Sequence, residues 1–291
     1  MILRKENLMN KPIKRSKLRA ACGMLYYKTK RKLLWLRMRK KFATERSQEP
    51  LPELQFTHKT PLLRKLKDVD MYLQYNKITN LKLAAAKIDG VVVKPGQTFS
   101  FWYLVGKTSA KKGYKEGLVL SNGRVGKGIG GGLCQMTNLI YWMTLHTPLT
   151  VTERYRHGYD VFPDSNRTQP FASGATCYYP HLDLMIRNDT DIPFQLLVNV
   201  GEEYLTGEWR SVEPPLFKYE IVEKNHEMRQ EFWGGYSRHN ELYREVYTRD
   251  GEFVREEFVV ANSAIMMYRP FLTGPDGKGT CGEDDHSKYD R

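Results

Sequence analysis

The run Gly126-Lys127-Gly128-Ile129-Gly130-Gly131-Gly132-Leu133-Cys134-Gln135 holds residue types that could do chemistry. Glycines open backbone conformations closed to other residues and let another group come close. Met136, Leu139, Ile140 and Met143 follow at i, i+3, i+4 and i+7, the spacing of one face of a helix. Cys134 then falls in the first turn, where free N–H groups and the helix dipole favour negative charge. A thiol placed there is more acidic and a better nucleophile at neutral pH.

His157 offers the other half of a Cys–His pair, which needs an imidazole within hydrogen-bond reach of the thiol. The chain between them can end the helix at Pro148 and return through an extended segment. Asp160 or Asp183 could orient the imidazole. The Gln135 side chain, or N–H groups at the helix start, could stabilise an oxyanion. Asn138, one turn beyond Cys134, shares its face. This constellation suits a thiol hydrolase or acyl transferase acting on peptide-like amides. A second reading stays open beside it: Gly130, Gly131 and Gly132 hold an anionic ligand at the helix start without catalysis, helped by Arg154 and its neighbouring cations. Without either ligand or reaction, a cysteine beside glycines is simply a small residue in tight packing.

Other site classes fit poorly. The glycines formally satisfy a dinucleotide fingerprint, but that motif needs a strand feeding directly into the turn of a parallel βαβ unit. Here Ser121-Asn122-Gly123 marks a hairpin before the run, and antiparallel-looking strands follow. A nucleotide-binding loop of the Walker type fails because Gly128, not Ser or Thr, follows Lys127. Cys134, His157, Cys177, His181 and Asp183 are good ligand types, yet their scattered spacing lacks the short ligand pairs of zinc sites. No metal and no cofactor is expected.

The positioning elements follow from pattern. One or two helices are expected within 62–90, a strand at Val91-Val92-Val93, and a hairpin across Leu118 to Val125 before the glycine run. The cysteine-headed helix runs to about Thr147, and strands dominate thereafter, with a hairpin about Arg249-Asp250-Gly251. The class is α+β, a mostly antiparallel sheet packed on a glycine-preceded helix headed by a cysteine.

Charge divides the chain further. The net charge is +13, and residues 1–50 carry all of it, with 16 of the 46 Lys and Arg and 3 of the 33 Asp and Glu. The remaining body is neutral, which argues against a nucleic-acid groove. The arm, 1–60 with its Pro-rich linker from Ser47 to Pro61, precedes a main domain at 61–215. A β-rich extension at 216–270 and a disordered tail at 271–291 complete the reading. In the arm, Leu34, Trp35, Met38 and Phe42 could share an apolar face among basic residues, a pattern suited to an anionic membrane surface. No stretch approaches the ~20 apolar residues of a span. The Ala20 to Tyr27 stretch is short and followed by cations, unlike an export signal. The expected location is cytoplasmic, peripheral at the inner membrane face.

Several segments resemble the VanW family of bacterial proteins associated with glycopeptide-resistance clusters. They are Gly96-Gln97-Thr98-Phe99-Ser100-Phe101, Val105-Gly106-Lys107-Thr108, Gly113-Tyr114, Gly130-Gly131-Gly132-Leu133-Cys134-Gln135, Glu153-Arg154-Tyr155-Arg156-His157, and Ala175-Thr176 through Leu182-Asp183-Leu184 to Asn188. The resemblance implies a role in glycopeptide resistance or cell-envelope processing, with a peptidoglycan precursor or related peptide as ligand. It departs at Gly174, where many members carry an aspartate, so no third catalytic residue is carried over from that position.

Overall fold

A computed structural model of the chain describes residues 16–63, 70–121, 123–161 and 169–268; the segment read as a tail and the hairpin residue Asn122 lie outside them. The chain enters through helix α1 (Lys17–Met38), whose first turn is capped by the Ser16 hydroxyl accepting from the Arg19 N–H. Strand β1 (Glu53–Pro61) and helix α2 (Met71–Ile88) follow, then β2 (Val91–Val93), β3 (Thr98–Ser100) and the short α3 (Phe101–Val105). The hairpin β4 (Glu116–Ser121) and β5 (Arg124–Ile129) leads into α4 (Cys134–Leu145). Then come β6 (Thr150–Glu153), β7 (Tyr159–Asp160), β8 (Met185–Arg187), β9 (Phe194–Val200) and β10 (Tyr204–Ser211). The long strands β11 (Lys218–Gln230), β12 (Tyr236–Tyr247) and β13 (Phe253–Met266) end the described chain.

The strands build sheets ordered β1-β10-β9-β2, β3-β8-β6 and β11-β12-β13-β7, with β4-β5 apart. Of the ladders between named strands, only β13 with β7 is parallel. The architecture is α+β, as the pattern predicts, and α4 begins at the cysteine.

Alternation along β10 turns Leu205, Gly207, Trp209 and Ser211 to one face. Helix α4 lies on that face, with Met136, Leu139, Ile140 and Met143 at most 1% exposed. Each such side chain removed from water contributes roughly 1.5–3 kcal/mol. Gly207 makes the close approach workable: a Cβ there would stand 2.7 Å from the Met143 methyl and 3.0 Å from Leu139. The buried Trp209 indole donates to the Thr144 hydroxyl at 3.1 Å, so its polar atom is satisfied.

Two sequence expectations change here. Residues 53–61, inside the stretch read as a linker, are β1, paired with β10 from Glu53–Ser211 to Pro61–Tyr204. Prolines are tolerated because β1 is an edge strand and Pro61 is its last residue. The arm's Trp-bearing face does not look outward either. Trp35 packs 6.0 Å from the rings of both Tyr103 and Tyr179, and buried Phe42 stacks on Tyr103 at 4.3 Å. Arg31, buried in the same face, donates to both Glu153 carboxylate oxygens and to the His181 carbonyl, with Asp183 at 3.9 Å. The opposite face leaves Leu18, Leu25, Leu33 and Leu36 62–76% exposed.

Candidate active site

Glycine geometry sets the entry to α4. Gly130 and Gly132 have φ of +78° and +91°, conformations that other residues rarely adopt. The space their side chains would need is filled by protein. A Cβ at Gly130 would meet Thr108 at 2.6 Å, one at Gly131 the Gly117 backbone at 2.3 Å, and one at Gly132 the Lys77 side chain at 2.4 Å. The Gly131 carbonyl also accepts from fully buried Asn80 at 2.9 Å. The glycines therefore seat the loop against the hairpin and α2.

Four residues downstream of the loop, α4 grips a second segment. The Thr137 hydroxyl donates to the Ala175 carbonyl at 2.6 Å, and the Asn138 carbonyl oxygen accepts from the Ala175 N–H at 2.7 Å. Gly174 leaves space for this grip: a Cβ there would stand 2.5 Å from that same oxygen, and the Asn138 amide would have to shift. Arg154 fastens the segment from the other side, donating to the carbonyls of Gly174 and Ala172 and to Asn262 while its guanidinium lies 4.7 Å from the centre of the Tyr141 ring. Arg154 and Asn138, expected to contact a ligand, instead spend these groups on holding residues 172–175.

The held segment places Cys177 against Cys134. The two sulfurs are 3.8 Å apart, and the Cys177 N–H points at the Cys134 sulfur at 3.5 Å. His157 also acts on this thiol and favours its ionised form. Cys134 is held well below the usual thiol range, first by the hydrogen bond from the Cys177 thiol, then by His157 and the Cys177 N–H, against the opposing effect of burial. Position at the head of α4 acts in the same direction. Cys177 is pushed the other way, by burial first and then by its bond to Cys134. Of the two thiols, Cys134 is thus the one that more readily ionises.

The remaining expected members sit elsewhere. The Gln135 amide nitrogen donates to the Thr60 hydroxyl at 3.0 Å and the Pro61 carbonyl at 2.9 Å. Both of its hydrogens are thus directed to the end of β1. Asp160 does not serve His157 as expected: its carboxylate accepts from the Tyr268 hydroxyl at 2.8 Å and lies 3.6 Å from Arg238. Pairing of β7 with β13 turns it into the C-terminal sheet. Asp183 accepts from the Ser100 hydroxyl at 2.6 Å and the Trp102 N–H at 2.9 Å, beneath Arg31. Among the described residues no three His, Cys, Asp or Glu side chains converge as a metal site requires. Cys177 is the residue that spacing alone did not pair with Cys134; its only signal was a second thiol two residues beyond Ala175.

The cysteine-headed helix, its glycine loop and the Ala175 segment all fall within residues 76–210, which match the family model described as VanW like protein. The chain belongs to the VanW family. It is 34% identical over 227 residues, 78% of this chain and 82% of the relative, to the vancomycin B-type resistance protein VanW of Enterococcus faecalis. A shorter match, 37% identical over 78 residues, covers 27% of this chain and 26% of the uncharacterized protein YoaR of Bacillus subtilis. No solved structure matches.

Proposed function

We propose that Cys134 is the nucleophile of a cell-envelope enzyme that cleaves or transfers a peptide-like amide, with His157 as its base and a peptidoglycan precursor as substrate. The observation that carries this reading is a thiol at the head of α4 with both an imidazole and a second thiol acting on it. In the first step the Cys134 thiolate adds to the amide carbonyl, and His157 passes a proton to the departing amine. Water then hydrolyses the thioester, or a second amine accepts the acyl group. With Gln135 committed to β1, charge developing on the carbonyl oxygen falls to the positive end of α4. The name of the Enterococcus relative supports glycopeptide resistance as the setting.

The test is turnover of a muropeptide ending in D-Ala-D-Ala, followed by mass spectrometry of released amine and acyl products. Turnover that is lost in Cys134→Ala and strongly reduced in His157→Gln supports the reading. Full turnover in Cys134→Ala, or iodoacetamide labelling of Cys134 no faster than of a free thiol, overturns it. The alternative of a purely ligand-holding glycine loop has less support, since the Gly130 and Gly131 N–H groups already donate to the Lys115 and Gly128 carbonyls.

The same proposal includes a place of action. Helix α1 keeps its leucine-rich face outward, with Leu18, Leu25 and Leu36 at i, i+7 and i+18 on one side. Arg19, Lys30, Lys32 and Arg37 flank that stripe. Such a surface suits the anionic inner face of a membrane, where precursors are assembled on lipid. Among the described residues no helix is long and apolar enough to cross a membrane.

A further inference from the structure

An amide-cleaving thiol has no chemical need for a second thiol in van der Waals contact, and Cys177 calls for its own account. Its sulfur is 3.8 Å from that of Cys134, and Cys134 keeps partial exposure while Cys177 is buried behind it. This is the order a two-step exchange requires, an outer sulfur that meets a reagent and an inner one that resolves the product. Closing the gap to a covalent bond of ~2.05 Å needs a shift of under two ångströms at one or both sulfurs, on the order of 1.8 Å. Cys177 lies outside any ladder strand, so a change of its side-chain rotamer breaks no sheet pairing. The residues beside it are tied by the isolated bridges Tyr155–Thr176 and Tyr178–Leu182, with the Ala175 and Arg154 contacts just before. Cys22, by contrast, is exposed on α1, and Cys281 lies outside the described residues.

We propose that Cys134 and Cys177 form a reversible disulfide by exchange with a low-molecular-weight disulfide, making the head of α4 a dithiol exchange site. The Cys134 thiolate attacks one sulfur of the reagent; that S–S bond breaks, a mixed disulfide forms on Cys134 and one small thiolate leaves. Cys177 then gives up its proton, to the departed thiolate or to His157, and attacks the Cys134 sulfur. The mixed disulfide breaks and the second small thiol is expelled. In balance, two protein thiols lose two electrons and two protons, and the reagent becomes two thiols. This inference rests on the same reactive Cys134 as the proposed function, and it adds a control to it, since the disulfide ties up the nucleophile.

The experiment uses the full chain with Cys22→Ser and Cys281→Ser, folded by circular dichroism, incubated with oxidised glutathione over a series of ratios to reduced glutathione. Acid quenching, alkylation of remaining thiols, non-reducing digestion and mass spectrometry follow. The expected product is a linked peptide pair joining Cys134 to Cys177, reversed by dithiothreitol. In Cys177→Ala the reaction should stop with glutathione on Cys134, and Cys134→Ala should leave Cys177 free. If the chain with Cys134 and Cys177 both present ends with glutathione on Cys134, or with both thiols alkylated at every ratio, the proposal is overturned without reference to either variant. The two readings fail separately. A linked peptide without muropeptide turnover leaves the exchange site and removes the amide enzyme, and turnover without a linked peptide does the reverse.

Discussion

Cys134 owes its acidity largely to a neighbour that becomes harder to ionise in consequence, because the Cys177 S–H is the strongest group favouring the thiolate. Removing that donor has a readable effect. In Cys177→Ala the midpoint of the pH profile of Cys134 alkylation should move to higher pH, with a roughly tenfold loss of rate per unit moved at pH values below both midpoints. A profile that stays in place would show that the helix start and His157 suffice. Asp183 offers a second residue-scale test. Its carboxyl is pushed up to about 7, burial outweighing the bonds from Ser100 and Trp102. An unfolded aspartate titrates near about 3.9, so between about pH 4 and 7 the folded chain holds a proton the unfolded chain has released. That contribution to stability is complete below the unfolded value and is lost as pH rises through about 7. Urea unfolding at about pH 5 and about pH 8 should therefore show wild type losing stability relative to Asp183→Asn as pH increases. Parallel midpoints for the two proteins would contradict this.

At the scale of elements, the glycine loop is held by shape. Gly131→Ala places a methyl 2.3 Å from the Gly117 backbone, where no flexible side-chain end can yield. The expected cost is about 1–3 kcal/mol, read as a lowered midpoint in thermal or urea unfolding. The local part of this site was legible in the sequence. The spacing of Met136, Leu139, Ile140 and Met143 located α4, and the glycines before it located its start, because both signals lie within one short segment. The packing reason for the glycines was not legible, since Thr108, Gly117 and Lys77 lie on other elements. Cys177 stayed unpaired with Cys134 for the same reason: Thr137, Asn138 and Arg154 bring its segment in through contacts distant in sequence. Strand β1 was hidden by prolines that an edge position tolerates. The long β11 and β12 were largely hidden by their charge, with pairs such as Lys224–Glu256 and Arg244–Glu257 running across the C-terminal sheet.

For the whole molecule, α1 is the element that connects the basic arm to the neutral body. Vesicles containing phosphatidylserine should bind the chain at low salt and release it as ionic strength rises. Leu25→Glu with Leu36→Glu should weaken binding without lowering stability, since both side chains are exposed. Equal binding by the double variant would exclude the leucine face as the contact. Arg31 governs docking of the arm. Arg31→Ala leaves the Glu153 and Asp183 carboxylates without their buried cation and should cost about 3–5 kcal/mol, with earlier proteolysis in residues 16–42.

Arg31 also has a mechanical consequence. Its guanidinium grips the His181 carbonyl and lies near Asp183, at the far end of the same segment that carries Cys177. The arm and the inner thiol are therefore coupled in series, like two weights on one cord. Arg31→Ala should therefore loosen two things together, the arm and the residues that follow Cys177.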